Sequence, residues 1–198
     1  MSSINLSKKI YFAQFEVTNQ VFYKSPLSYA LVNIMPILPG HVLVVPDRKV
    51  ARLTDLSPPE ITDLFLTVQR VQRMLARKYF TPSQEDGEAK ALPEDGSFNI
   101  ALQDGKEAGQ TVPHLHCHVI PRLQGDVTGD EIYQKLQGEE GNVGGGFWDA
   151  QRDEERAEKR PVQEGKFPRI EDAMRTPRSK EDMHSEADEY RNLMERLG

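Results

Sequence analysis

Apolar and polar positions along the chain change period several times, and each change marks an element. Val21-Phe22-Tyr23 and Tyr29-Ala30-Leu31-Val32 are rich in β-branched and aromatic residues, with Ser25-Pro26 between them, and predict two strands. Asn33 ends the second run. Pro36, Pro39 and Gly40 mark a turn before a third strand over residues 41–45, which Pro46 stops. Ile61, Leu64, Phe65, Val68, Val71 and Leu75 then recur at helical spacing behind Ser57-Pro58-Pro59-Glu60, a capping box with prolines in the first turn. That pattern predicts one long helix ending near Tyr79 or Phe80, and residues 81–96 read as an exposed loop. Residues 97–102 alternate as a strand, two polar turns follow, and residues 114–120 predict the last strand. Gly141, Gly144, Gly145 and Gly146 read as a flexible segment. Ser179 and Asp182 offer a cap for a final helix with Met183, Ala187, Tyr190, Leu193, Met194 and Leu197 on one face. Strands around one long central helix, with a second helix at the C-terminus, predict an α+β fold with an antiparallel sheet.

Composition narrows the picture. A chain of 198 residues with 37% apolar residues suits one domain or one domain plus an appendage. No apolar run approaches the ~20 residues that cross a bilayer. A net charge of −6 argues against non-specific binding to a nucleic-acid polymer. The single cysteine, Cys117, fits a reducing compartment. Met1 to Asn5 lack the layout of a secretory signal, so a cytoplasmic or nuclear location is expected. The charge is uneven: residues 139–198 hold 16 Asp/Glu and 11 Lys/Arg, against 15 and 14 upstream. The expected division is therefore a compact domain over 1–138, a Gly-rich acidic insertion over 139–170, and a helical extension over 171–198.

The chemistry concentrates at Val112-Pro113-His114-Leu115-His116-Cys117-His118-Val119-Ile120, which holds three of the five histidines. On a strand His114, His116 and His118 share one face, and Leu115, Cys117 and Val119 turn to the core. Three readings compete: a polar structural strand, a metal site, and a histidine nucleophile flanked by phosphate donors. Against the metal, imidazoles at i and i+4 stand roughly 13 Å apart along a strand. For the nucleophile, Gly109-Gln110-Thr111-Val112 and Gln103 lie on adjoining turns with amide and hydroxyl donors suited to an anion.

The run His114-Leu115-His116-Cys117-His118-Val119-Ile120 resembles the signature of the histidine triad superfamily. Ala30-Leu31-Val32-Asn33, Pro39-Gly40-His41-Val42-Leu43-Val44, Gln103-Asp104-Gly105 and Glu107-Ala108-Gly109-Gln110-Thr111-Val112 are similar to its fragile-histidine-triad branch, the dinucleoside polyphosphate hydrolases. The resemblance implies a HIT-like fold and cleavage of diadenosine triphosphate (Ap3A) to AMP and ADP. It implies His116 as nucleophile, forming a nucleotidyl-histidine that water then hydrolyses. By the same resemblance His118 contacts the scissile phosphate, His114 and His41 buttress the nucleophile, Asn33 meets the ribose, Gln103 a phosphate, and Gly109, Gln110, Thr111 and Val112 the phosphate side. Val17, Leu31 and Leu43 read as core more than as a base pocket. A homodimer is implied, as is a divalent cation (Mg²⁺ or Mn²⁺) held through the substrate's phosphates, with no protein metal ligands named. Two other functions stay open: a nucleotide-binding signalling module with slow hydrolysis, motivated by the acidic tail, and an AMP-phosphoramidate hydrolase of the same fold. The expanded stretch from Arg122 to about Lys166 reads as a solvated insertion or as a lid.

Overall fold

The structure is a computed structural model that describes residues 8–82, 90–123, 131–151, 159–162 and 177–197. Parts of the expected loop, insertion and extension (residues 83–89, 152–158 and 163–176) lie outside the described residues. A small hairpin of β1 (Tyr11–Phe12) and β2 (Phe15–Glu16) opens the chain. Then come β3 (Val21–Lys24), β4 (Ser28–Val32) and β5 (Val42–Pro46), the long helix α1 (Pro58–Tyr79), β6 (Ser97–Leu102) and β7 (Cys117–Arg122). Three helices follow: α2 (Glu131–Gln137), α3 (Val143–Ala150) and α4 (Lys180–Glu195). The main sheet is antiparallel throughout, in the order β3-β4-β5-β7-β6. The α+β fold, with one long helix and a C-terminal helix on an antiparallel sheet, is thus the one expected.

Helix α1 starts where its sequence says it should. The Ser57 N–H and hydroxyl both donate to Glu60 Oε2, and two prolines occupy the first turn, where a missing N–H costs nothing. Leu64, Val68, Val71 and Leu75 are buried against the sheet, joined by Met74. Phe65, counted in the apolar stripe, is exposed instead, because it lies off that face. Arg48 clamps Glu60 through two nitrogens, and this contact, with the Ser57 bonds, holds the Glu60 carboxyl down to about 2.

Two expectations need correction. The last strand does not span residues 114–120; it begins at Cys117. Its partner β5 pairs only through Val44↔Cys117 and ends in Pro46, which has no N–H for the ladder. The Leu115 N–H turns away to the Val50 carbonyl at 2.7 Å, and the His114 N–H closes a tight turn on Val112 O at 2.8 Å. Nor does the core stop at residue 138. Gly144, Gly145, Gly146 and Phe147, read as a flexible segment, lie buried in α3. The Asn142 side chain accepts from the Gly145 N–H at 2.7 Å and caps that helix.

The main core draws on β1 to β5, β7, α1, α3 and α4. Helix α4 lies against β3, β4 and α1 and buries Met183, Ala187, Tyr190 and Met194. Tyr190 meets Phe22 edge to face at 5.2 Å, and its hydroxyl pairs with Tyr79 at 2.8 Å. Tyr190→Ala is expected to lower unfolding free energy by roughly 3–5 kcal/mol, the range for a buried aromatic truncation. Chemical denaturation measures this; a change below ~1 kcal/mol would mean α4 is an appendage and not core.

Candidate active site

Strand register assembles the histidines. Val32 pairs with Val42, so Asn33 and His41 face each other where β4 passes into β5. Leu43 pairs with His118, which seats His118 next to His41. A slip of one residue in either ladder would send these rings to the opposite face. Cys117 and Val119 point into the main core, whereas Ile120 joins Ile37 and the α2 residues Ile132 and Leu136 in a second cluster.

The backbone fixes the tautomer of each ring. The Ile37 N–H can only donate, and it donates to His41 Nδ1 at 3.1 Å. The proton of a neutral His41 is therefore on Nε2, which donates to His118 Nδ1 at 2.9 Å. The His118 proton is left on Nε2. That atom is buried and has no hydrogen-bond partner among the described residues. The Asn33 amide nitrogen lies against the His41 ring, 3.1 Å from Nε2, while Asn33 Oδ1 accepts the Met35 N–H at 3.0 Å.

His116 is set the opposite way. The His114 carbonyl can only accept, and His116 Nδ1 donates to it at 2.8 Å, which leaves the lone pair on His116 Nε2. His114 uses both of its nitrogens internally: Nδ1 accepts the Ala13 N–H at 3.1 Å, and Nε2 donates to Pro46 O at 2.8 Å. The His116 and His118 rings stand 5.0 Å apart, one presenting an acceptor nitrogen and the other a donor.

Burial keeps these rings neutral. His114, His116 and His118 expose 1%, 2% and 0% of their surface, not the open face that a regular strand implied. Burial lowers the His116 pKa to about 4, against a smaller opposing pull from the His114 carbonyl. His118 falls well below the ordinary value, through burial and then its His116 and His41 neighbours, and His114 is lowered mainly by burial.

The remaining expected residues surround this cluster. Gln103 is buried and donates to Leu136 O of α2 at 2.9 Å. Gly109 adopts φ of 91°, open to glycine at little cost, and the Gly109 and Gln110 N–H groups bond within their own turn. The Gln110 side chain donates to Ala51 O at 2.9 Å, and Val112 is core. Thr111 Oγ1 accepts the Gly144 N–H of α3 at 3.0 Å.

Sequence reasoning missed the groups that hold the cluster from outside it. The hairpin turn carries Ala13 at φ of 54°, with neither the glycine nor the asparagine that would announce it. Phe12 sets its ring edge against His116 at 5.1 Å, and Phe147 stacks on Phe15 at 5.1 Å. The carbonyls of Pro46 and His114 and the N–H of Ile37 carry no side-chain signal at all.

A model of the family described as "HIT domain" matches residues 14–125, which include every histidine of the cluster. The chain belongs to the HIT-domain family. A Schizosaccharomyces pombe protein named bis(5'-nucleosyl)-tetraphosphatase [asymmetrical] is 42% identical over 184 residues, 92% of each chain. A Saccharomyces cerevisiae bis(5'-adenosyl)-triphosphatase (strain ATCC 204508 / S288c) is 49% identical over 150 residues, 75% of this chain and 66% of its own length. Among solved structures the Caenorhabditis elegans NitFhit protein superposes with a TM-score of 0.60 at 32% identity, over 98% of this chain and 31% of that one. Helices α3 and α4 lie beyond the part matched by the family model.

Burying a neutral imidazole has a cost in acid. Below its ordinary pKa near 6.5 the unfolded chain binds a proton that folded His116 refuses until about pH 4. Stability falls as pH drops through that window, by roughly 3 kcal/mol for this one ring. Urea titrations at pH 7 and 4.5 test it: His116→Asn is expected to lose less stability than the parent over that interval, and an equal loss would refute the assignment.

Proposed function

We propose that the chain hydrolyses dinucleoside polyphosphates, taking Ap3A to AMP and ADP through a nucleotidyl intermediate on His116. The observation that carries this is the pairing of opposite tautomers, a lone pair on His116 Nε2 beside an unpartnered donor on His118 Nε2. A nucleophile, and a donor that stabilises the charge on the leaving oxygen, suit an in-line displacement at phosphorus. The names of the relatives support the substrate class.

In the first half-reaction His116 Nε2 bonds to the α-phosphorus, the P–O bond to the leaving ADP breaks, and His118 Nε2–H hydrogen-bonds to the departing oxygen, which leaves as the ADP anion. In the second, water attacks the phosphorus, its proton passes to solvent, the P–N bond breaks to return the neutral His116 ring, and AMP departs. The His114 carbonyl holds the attacking ring throughout, and it stabilises the positive charge that develops on that ring as the P–N bond forms.

We further propose that Mg²⁺ or Mn²⁺ travels with the substrate's phosphates. Among the described residues no group of three His, Cys, Asp or Glu side chains is placed to hold a metal ion. The homodimer and the cytoplasmic or nuclear location belong to the same reading and rest on the resemblance. The signalling alternative loses its motive in part, because α3 and α4, counted in the acidic tail, are built into the core.

His116→Ala is expected to abolish turnover of Ap3A, and kcat/KM of the parent should hold from neutral pH down towards pH 4 before it falls, since the attacking nitrogen stays unprotonated until then. Full activity in the variant would overturn the nucleophile assignment, and an acid limb near pH 6.5 would contradict the burial-lowered pKa of His116. A panel of Ap3A, Ap4A and an AMP-amine conjugate with product analysis fixes the substrate. We expect the highest kcat/KM for Ap3A; a preference for Ap4A would place the chain with its S. pombe relative, and a preference for the conjugate would overturn the reading.

A further inference from the structure

The histidine cluster is sealed in this structure. A substrate with two nucleosides and a polyphosphate cannot reach His116 and His118, exposed to 2% and 0%, unless a covering element moves. The sheet cannot move without breaking its ladders, and the β1–β2 hairpin is tied to His114 through the Ala13 N–H. Among the described residues α2 and α3 remain: α2 packs with Ile37 and Ile120, and α3 sits against Thr111, one of the residues expected to meet substrate, and against the segment after Asn33. A Cβ at Gly144 would stand 2.6 Å from Thr111 O, and one at Gly146 would stand 2.6 Å from Met35 Cγ and 3.1 Å from Ile34 Cγ2. The glycines are therefore what allow the helix to lie this close to both the 109–112 turn and the segment after Asn33.

The side chain that α3 inserts is aromatic. Phe147 stacks on Phe15, with planes 20° apart, and meets Phe12 edge to face at 5.8 Å, while Phe12 touches the His116 ring. A flat ring stacked on one phenylalanine, and edge-on to a second that touches the nucleophile, occupies the kind of slot in which a nucleobase stacks. Polar contacts hold it along its length: Thr111 accepts the Gly144 N–H, Asn142 caps the first turn, Gln151 at the C-cap donates to Glu16 O at 3.0 Å, and Arg160 bridges Asp149 of α3 and Glu139 at 3.0 and 2.9 Å on the half-exposed surface.

We propose that Val143–Ala150 is an intramolecular plug: Phe147 fills the nucleobase slot, Arg160 latches the helix shut, and binding of the dinucleotide expels it. The inference rests on the function proposed above. It makes α3 a competitor of the substrate, so the measured affinity is the intrinsic affinity scaled by the open fraction. Loosening the latch then tightens binding without touching a group that reacts.

The only tryptophan, Trp148, lies in α3 next to Phe147 and packs on the main core, so its emission reports the helix's position. Full-length His116→Asn is titrated with Ap3A while fluorescence and heat of binding are recorded on the same samples. A saturable red shift that tracks the heat is expected. Arg160→Ala, in the same background, should bind Ap3A about two- to fivefold more tightly, the scale of a surface ion pair, and should start with a more red-shifted emission. Phe147→Ala should also tighten binding. Should Phe147→Ala fail to fold, the latch variant carries the test alone. Binding heat with unchanged Trp148 emission, or weaker binding in Arg160→Ala, would make α3 a fixed wall and overturn the plug while leaving the hydrolase reading intact. Absence of both binding heat and wild-type turnover would overturn the function itself.

Discussion

An imidazole taken out of water must be neutral, and a neutral imidazole has one donor and one acceptor. This constraint organises the molecule. Four rings, His41, His114, His116 and His118, lie buried together. Backbone groups whose roles cannot be reversed set their protons. An N–H from Ile37 and another from Ala13 force two acceptors, and carbonyls of His114 and Pro46 receive two donors. The result is an asymmetric pair at the centre, a lone pair beside an N–H, which two identical side chains in water would not maintain.

The fold serves that arrangement. The β4–β5 and β5–β7 registers deliver Asn33, His41 and His118 to one place, and the early end of the β5–β7 ladder at Val44↔Cys117, short of Pro46, frees residues 114–116 to leave strand geometry. Had the strand continued as its alternation suggests, His114 and His116 would have presented their rings in parallel. The bend instead turns the His114 carbonyl onto the next histidine, His116, and makes His114 a strut with both nitrogens committed.

Much of this was legible in the chain. The capping box and stripe of α1, the β3 to β6 runs and the Ser179 cap all appear where local chemistry puts them, because each is written in neighbouring residues. The histidine cluster was legible from its spacing and family signature alone. What stayed hidden depends on partners far along the chain. Ala13 and His114 are 101 residues apart, and Gly144 and Gly146 read as flexible until Thr111 and Met35 are seen to leave no room for a side chain at the one and the other. Phe147, flanked by glycines and acidic residues, carries no period that would mark it as core. Gln103 and Thr111, read as phosphate donors, are found bonded to α2 and α3, helices whose contacts with those turns no local pattern announces.

The central claim is that His116 Nε2 forms a bond to phosphorus in each turnover. Rapid-quench mass spectrometry of the parent enzyme with Ap3A tests it most directly. The account predicts an acid-labile adenylyl group on the peptide that contains His116, formed before AMP is released and at a rate no slower than turnover. AMP appearing at its full rate with no adduct on that peptide at any quench time would contradict it and indicate direct attack by water.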